Sequence, residues 1–213
     1  HIDASYAGTA LLLPEMRWMI AGIENVDSFV FNPHKWMFTH FDCSAYFVKD
    51  KQALVDTFSI LPEYLKTPED KLVNNYRDWG IPLGRRFRAL KLWFVMRSYG
   101  LEGMQQIIRR HMEYGQWLSA EIAATEGFEI MAPVPLNLVC FRLNPKGIET
   151  EEALENLNKT LLNNLNNSSK ILLTQTKLNG KYVLRFVAGQ MHVQKEDVMR
   201  GWALIRAEAN RLC

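Results

Sequence analysis

Two short segments hold the residues best suited to chemistry: Phe29-Val30-Phe31-Asn32-Pro33-His34-Lys35-Trp36 and, upstream, His1-Ile2-Asp3-Ala4-Ser5-Tyr6. Each is a strand-like apolar run that ends in polar groups, so a lysine and a carboxylate fall at the ends of two neighbouring strands. Burying a lysine disfavours its charged form and lowers its pKa, which makes the amine a usable nucleophile near neutral pH. An aspartate beside it suits a cationic ring nitrogen.

The elements that must position these groups follow from local punctuation. Pro14 and Gly22 bracket a helix over 14–23, opened by proline at its first turn and closed by glycine. A strand ending at Asp3, this helix and a strand over Ser28 to Asn32 read as a βαβ crossover in a parallel sheet. Ser44-Ala45-Tyr46-Phe47-Val48 is a third strand. In such sheets active groups come from the carboxyl ends of strands, where Asp3 and Lys35 lie.

From Leu54 to Asp78 periodicity is lost, and a long loop containing Tyr64 is expected, of the kind that serves as a functional lid. A helix from Arg85 to Tyr99 ends at Gly100, and a second runs from Leu101 to about Thr125. Strands are expected near Phe128 to Met131, Leu136 to Arg142, Lys170 to Gln175 and Tyr182 to Val187. Helices are expected from Thr150 to Leu165 and from Gln194 to Leu212. This succession makes a small α+β domain, with a domain boundary in the region of residues 80 to 100.

Composition narrows the function class. Of 213 residues, 48% are hydrophobic, enough for a packed core. A net charge of +2 from 25 basic and 23 acidic residues gives no electrostatic footprint for nucleic acid. Cys43, Cys140 and Cys213 have neither a metal-ligand spacing nor an even disulfide count, which suits a reducing cytoplasm. No apolar run approaches the roughly 20 residues of a membrane span, and no signal-peptide pattern is present. The chain opens without methionine, on what reads as the tail of a strand, so a fragment of a longer protein is expected.

An amine able to form a Schiff base and an acid that keeps a pyridine ring protonated are two requirements of a pyridoxal phosphate site. The residues around them resemble the group II pyridoxal-phosphate decarboxylases, and within that family the aromatic L-amino acid and histidine decarboxylases. The matching blocks are His1 to Gly8, Asp27 to Trp36, Phe41-Asp42-Cys43-Ser44, Pro62-Glu63-Tyr64-Leu65 and Ile81-Pro82-Leu83-Gly84-Arg85-Arg86-Phe87 to Gly100. Family members are more than twice as long, so this chain resembles their C-terminal part.

The resemblance implies a type I aminotransferase-like α/β fold. Residues 1–84 would be the end of the large cofactor domain with its catalytic loop, and 85–213 a connecting helix and the small C-terminal domain. Lys35 would form the Schiff base, Asp3 would pair with the pyridine nitrogen, and Ser5 would pack on the ring face. Asn32 and His34 would reach the phosphate; each also fits a structural role, Asn32 in the extended turn before Pro33 and His34 as a satisfied buried histidine.

Tyr64 would be the general acid that protonates the carbanion after decarboxylation, where related aldehyde synthases carry phenylalanine. Gly84 would leave room for a bulky indole or catechol side chain, or serve simply as a turn residue. Arg85 and Arg86 read as structural or interface cations. Trp93, Phe94, Trp117 and Trp202 read as core or subunit-interface packing. His40, His111 and His192 form no metal cluster.

The expected reaction is decarboxylation of an aromatic L-amino acid of the tryptophan, dopa or tyrosine type to the amine and carbon dioxide. An aromatic aldehyde synthase, a histidine decarboxylase, or a non-catalytic fragment lacking the upstream half of its pocket are the alternatives. Expected partners are a second copy in a homodimer, with the Tyr64 loop reaching the other subunit's site, and the missing N-terminal portion.

Overall fold

The computed structural model describes residues 1–60, 64, 68 and 72–213. The chain divides into two compact units, His1–Met104 and Gln105–Cys213.

In the first unit β1 (Ile2–Asp3), β2 (Ser28–Phe31) and β3 (Ala45–Val48) form a sheet in that order. β1 and β2 are parallel, with Ile2 opposite Phe29 and Asp3 opposite Val30, as a crossover requires. The helix expected over 14–23 is a shorter 3-10 helix, Pro14–Ile20, and the rest of the crossover is made of 3-10 turns at Ala7–Leu12 and Ile23–Asn25. Pro14 and Gly22 cut the segment into pieces of six, seven and three residues, each too short to sustain an α-helical nucleus. Gly8 lets the first turn lie against β2, since a Cβ there would stand 2.5 Å from Phe31 Cβ.

β3 runs antiparallel to β2, pairing Phe47 with Phe29 and Tyr46 with Val30. Within the expected loop from Leu54 lies the end of a short helix, α1 (Lys51–Phe58), whose N-terminus is capped by Asp50 accepting from the N–H groups of Gln52 and Ala53. A 3-10 turn follows at Tyr76–Trp79, where Lys51 Nζ lies 5.4 Å from the Trp79 ring centre. Pro62, Glu63 and Leu65 of the block around Tyr64, and Glu69, Asp70 and Lys71, lie outside the described residues.

α2 (Arg88–Ala124) starts later than the expected Arg85 and is broken at Gly100 (φ 62°, ψ 175°), where the sequence placed the junction of two helices. The compact units part just beyond this break. Trp93 and Phe94 before the break are about half exposed, as is Leu90, and Phe87 is largely exposed.

The second unit is a four-stranded antiparallel sheet in the order β4 (Phe128–Ile130), β5 (Leu138–Leu143), β7 (Lys181–Val187), β6 (Thr174–Leu178). β6 lies later than the expected 170–175, because Asn166 ties down the backbone of Leu173 on both sides, accepting its N–H at 2.9 Å and donating to its carbonyl at 3.0 Å. α3 (Glu151–Asn167), capped by Thr150, and α4 (Lys195–Leu212), opened by a Gln194/Asp197 capping box, pack on the sheet and on each other. Leu118, Ile122, Phe141, Leu161, Leu184, Trp202 and Ile205 form the buried centre, and Trp117 packs at its edge. Among the described residues no helix is long and apolar enough to cross a membrane.

Candidate active site

The parallel ladder of β1 and β2 continues past the strands and builds the site. Ala4 donates its N–H to Val30 O at 2.9 Å and Asn32 donates to Ser5 O at 3.0 Å, which sets Ser5 beside the start of the lysine turn. Pro33 cannot extend the ladder, and the chain turns, closed by Lys35 N–H on Asn32 O at 2.9 Å. Trp36 is fully buried and stacks on Tyr6 at 5.0 Å between ring centres, anchoring the far side of the turn.

Lys35 Nζ then reaches back and donates to Ser5 Oγ at 2.9 Å. Ser5 also donates its backbone N–H to Asp3 Oδ1 at 2.9 Å. The carboxyl of Asp3 is held below the usual carboxylate range, first by that backbone bond, then by the Ser5 hydroxyl, with the nearby charge of Lys35 adding to it. Amine, hydroxyl and carboxylate thus form one connected group. Asp3 and Lys35 are both exposed, so the shielding that the sequence argument assigned to the lysine is not supplied by the described residues.

His34 and Asn32 flank the lysine and both engage the returning segment Phe41 to Ser44. His34 Nδ1 lies 2.6 Å from Cys43 O and 3.0 Å from Cys43 N, and the Phe41 ring meets the imidazole edge-on at 4.9 Å. Asn32 Oδ1 accepts from Ser44 Oγ at 2.6 Å, which leaves its amide N–H groups for another partner.

Tyr64 stands apart from this group. It is 81% exposed and lines a shallow depression of about 210 Å³ with residues that include Phe58, Arg77, Asp78 and Leu83. Gly84 is exposed, and a Cβ there would meet nothing within 4 Å, so no packing within the described residues demands glycine. Among the described residues no set of three or more His, Cys, Asp or Glu side chains could hold a metal ion.

Sequence reasoning gave Asp42 no role. Its Oδ2 accepts from Arg88 Nε at 2.9 Å, and Lys91 and Arg86 lie 3.9 and 4.0 Å from its Oδ1. The partners are more than 40 positions away, and only the folded chain brings them together.

The group has the donor set a pyridoxal phosphate needs: a lysine amine, a carboxylate kept ionised for a protonated ring nitrogen, and an imidazole and an amide at the flank. Residues 1–144 match the model of the pyridoxal-dependent decarboxylase conserved domain. The chain belongs to the pyridoxal-dependent decarboxylase family.

Similar members of this family include tyrosine decarboxylase 2 of Narcissus pseudonarcissus, 42% identical across all of this chain and 43% of the relative. A phenylacetaldehyde synthase of Arabidopsis thaliana is 44% identical across all of this chain and 44% of its own length. The crystal structure of Oryza sativa TDC with PLP and tryptamine superposes with a TM-score of 0.92 at 35% identity, covering the whole chain and 44% of the other. The chain thus spans less than half the length of these decarboxylase-family relatives.

Proposed function

We propose that this chain is the C-terminal part of a pyridoxal-phosphate-dependent decarboxylase that converts an aromatic L-amino acid of the tryptophan, dopa or tyrosine type to its amine. The observation that carries the reading is the connected group Lys35, Ser5 and Asp3 at the ends of β1 and β2. Residues 1–84 are assigned to the end of the large cofactor domain and 85–213 to a connecting helix and the small domain.

When bound, the cofactor supplies an aldehyde that an amine can capture and a ring that takes up the electron pair left as carbon dioxide departs. Lys35 offers the amine at Nζ. Asp3, kept anionic by Ser5, holds a proton on the ring nitrogen. Ser5 lies between the two and borders the ring face, while His34 and Asn32 offer polar groups to the phosphate. Tyr64 holds a phenolic proton for the α-carbon of the substrate, and Gly84 leaves space for a bulky aromatic side chain.

Tyr64 is exposed and outside the Lys35 group, which favours action on the site of a second copy in a homodimer. The share of the relatives covered by the chain, and the exposure of Asp3 and Lys35, favour an N-terminal polypeptide as the other partner. A cytoplasmic enzyme suits the free Cys43, Cys140 and Cys213.

An aldehyde-forming reaction is the second reading, favoured by the identity to the phenylacetaldehyde synthase. Tyrosine at position 64 argues for amine formation instead.

The test is borohydride reduction in the presence of pyridoxal phosphate followed by peptide mapping. The label is expected on Lys35, with a visible absorbance band beforehand. Labelling scattered over surface lysines would overturn the assignment. Amine plus carbon dioxide, rather than aldehyde, ammonia and peroxide, is the product pattern expected once the N-terminal portion is supplied.

A further inference from the structure

The segment Phe41 to Ser44 contacts both flanking residues of the lysine turn, and Asp42 at its centre faces elsewhere. Phe41 packs on the His34 ring, Cys43 meets its Nδ1, and Ser44 holds Asn32. Asp42 instead binds Arg88 at the start of α2, where Cys43 Sγ also lies 4.0 Å from Arg88 O. Both contacts lie within the first compact unit.

What happens at Cys43 decides the protonation pattern of His34. A protonated Nδ1 donates to Cys43 O at 2.6 Å, whereas an unprotonated Nδ1 accepts from Cys43 N–H at 3.0 Å. Both groups of Cys43 lie within reach of Nδ1 at once, and each protonation state of Nδ1 can use only one of them. Among the described residues no hydrogen bond engages Nε2, so in a neutral imidazole the choice at Nδ1 fixes whether Nε2 is a donor or an acceptor toward anything bound beside Lys35. Whatever clamps Cys43 therefore sets the chemistry that His34 presents.

We propose that Asp42 is a positioning residue, whose ion pair with Arg88 clamps the Phe41 to Ser44 segment and thereby sets the tautomer and orientation of His34. The pair has the geometry for this. The Arg88 guanidinium is planar and directional at 2.9 Å, and both side chains are about one-third exposed rather than fully solvated. Lys91 and Arg86 add charge at longer range without fixing direction. The importance of His34 to a ligand rests on the cofactor reading above; the clamp itself does not.

The test uses the whole chain labelled with 15N-histidine and follows the imidazole nitrogens by NMR, with His34→Gln identifying the His34 signals. The intact chain is expected to show one His34 tautomer. Asp42→Asn and Arg88→Gln are each expected to shift the His34 nitrogen signals toward a mixture of tautomers. The double variant should add nothing further, and Asp42→Glu should restore part of the original pattern. The buried Trp36, in the same compact unit as His34, is the folding control, read from its 15N-labelled indole.

An unchanged His34 spectrum in Asp42→Asn overturns the proposal, as does a shift in Asp42→Asn that Arg88→Gln does not reproduce. Should Asp42→Asn lose the dispersed Trp36 indole signal through unfolding, Arg88→Lys keeps the charge but not the guanidinium geometry. It should then give an intermediate shift, and no shift there is equally fatal. With pyridoxal phosphate added, borohydride labelling of Lys35 is expected to fall about tenfold in Asp42→Asn. If the unaltered chain fails to label Lys35, the cofactor reading falls while the His34 result, obtained without cofactor, still decides the clamp.

Discussion

Lys35 donates to the hydroxyl of Ser5 at 2.9 Å across 30 positions of sequence, and the same serine donates its backbone N–H to Asp3. One small residue therefore couples the amine to the carboxylate. Ser5→Ala keeps the backbone bond but loses the hydroxyl that helps hold the Asp3 carboxyl down. The Asp3 pKa is expected to move up part of the way toward its ordinary value, read from a carboxyl 13C NMR titration of the labelled chain. Lys35→Ala should move it in the same direction, because it removes a favourable charge.

Tyr64 can be changed without disturbing the fold, since its side chain is 81% exposed. In the assembled enzyme Tyr64→Phe is expected to lower amine formation by about 10²–10⁴-fold, the usual contribution of a positioned general acid, and to raise the share of aldehyde. Thermal unfolding of the isolated chain should be unchanged. Equal rates of amine formation in both proteins would remove Tyr64 from the reaction.

Two glycines are expected to respond oppositely to an added side chain. Gly84→Ser should alter stability by no more than about 0.5 kcal/mol, because nothing lies within 4 Å of its Cβ position. Gly201→Ala places a methyl group 3.1 Å from the Phe186 ring and 3.2 Å from Ile171 in the second unit, and should cost about 1–3 kcal/mol. Urea unfolding of the two variants gives the comparison, and only Gly84→Ser should change the preference among indole, catechol and imidazole substrates.

His111 is buried in the second unit, and burial, helped by the charge of Arg110, pushes its pKa down from 6.5 to about 4. The folded chain keeps the ring neutral where the unfolded chain would protonate it. The stabilisation is complete above pH 6.5 and is lost as pH falls toward about 4, up to about 3 kcal/mol. Urea unfolding across that window should show the decline, and His111→Gln should flatten this part of the profile.

Asn158 is fully buried in α3 and satisfies both backbone groups of Leu143, accepting its N–H and donating to its carbonyl, each at 2.8 Å. Asn158→Leu would leave the end of β5 with unpaired buried groups. The expected loss is roughly 2–4 kcal/mol, measurable as a lower urea midpoint with the slope unchanged.

Much of the second unit was legible along the chain. The helices expected from Thr150 and from Gln194 and the strands that became β5 and β7 rest on patterns a few residues long, so a local window suffices to find them. In the first unit, Asp3 and Lys35 stood out because their order and flanking residues are themselves the motif. In the crossover, proline and glycine spacing marks the ends of a helix but not the hydrogen-bond pattern between them, which is 3-10 over Pro14–Ile20. α1 was missed because Asp50 is a cap without a strongly periodic helix behind it.

The sequence by itself determined the chemistry available, an amine and a carboxylate at two strand ends, and the family to which their motifs point. Tertiary structure alone decided that Ser5 joins Lys35 to Asp3, that Asp42 meets Arg88 and that Tyr64 stands outside the group. The division has a physical cause. Local pattern fixes backbone conformation through contacts a few residues apart, whereas hydrogen bonds and ion pairs between distant residues depend on sheet register and on how the chain turns back, which no local window contains.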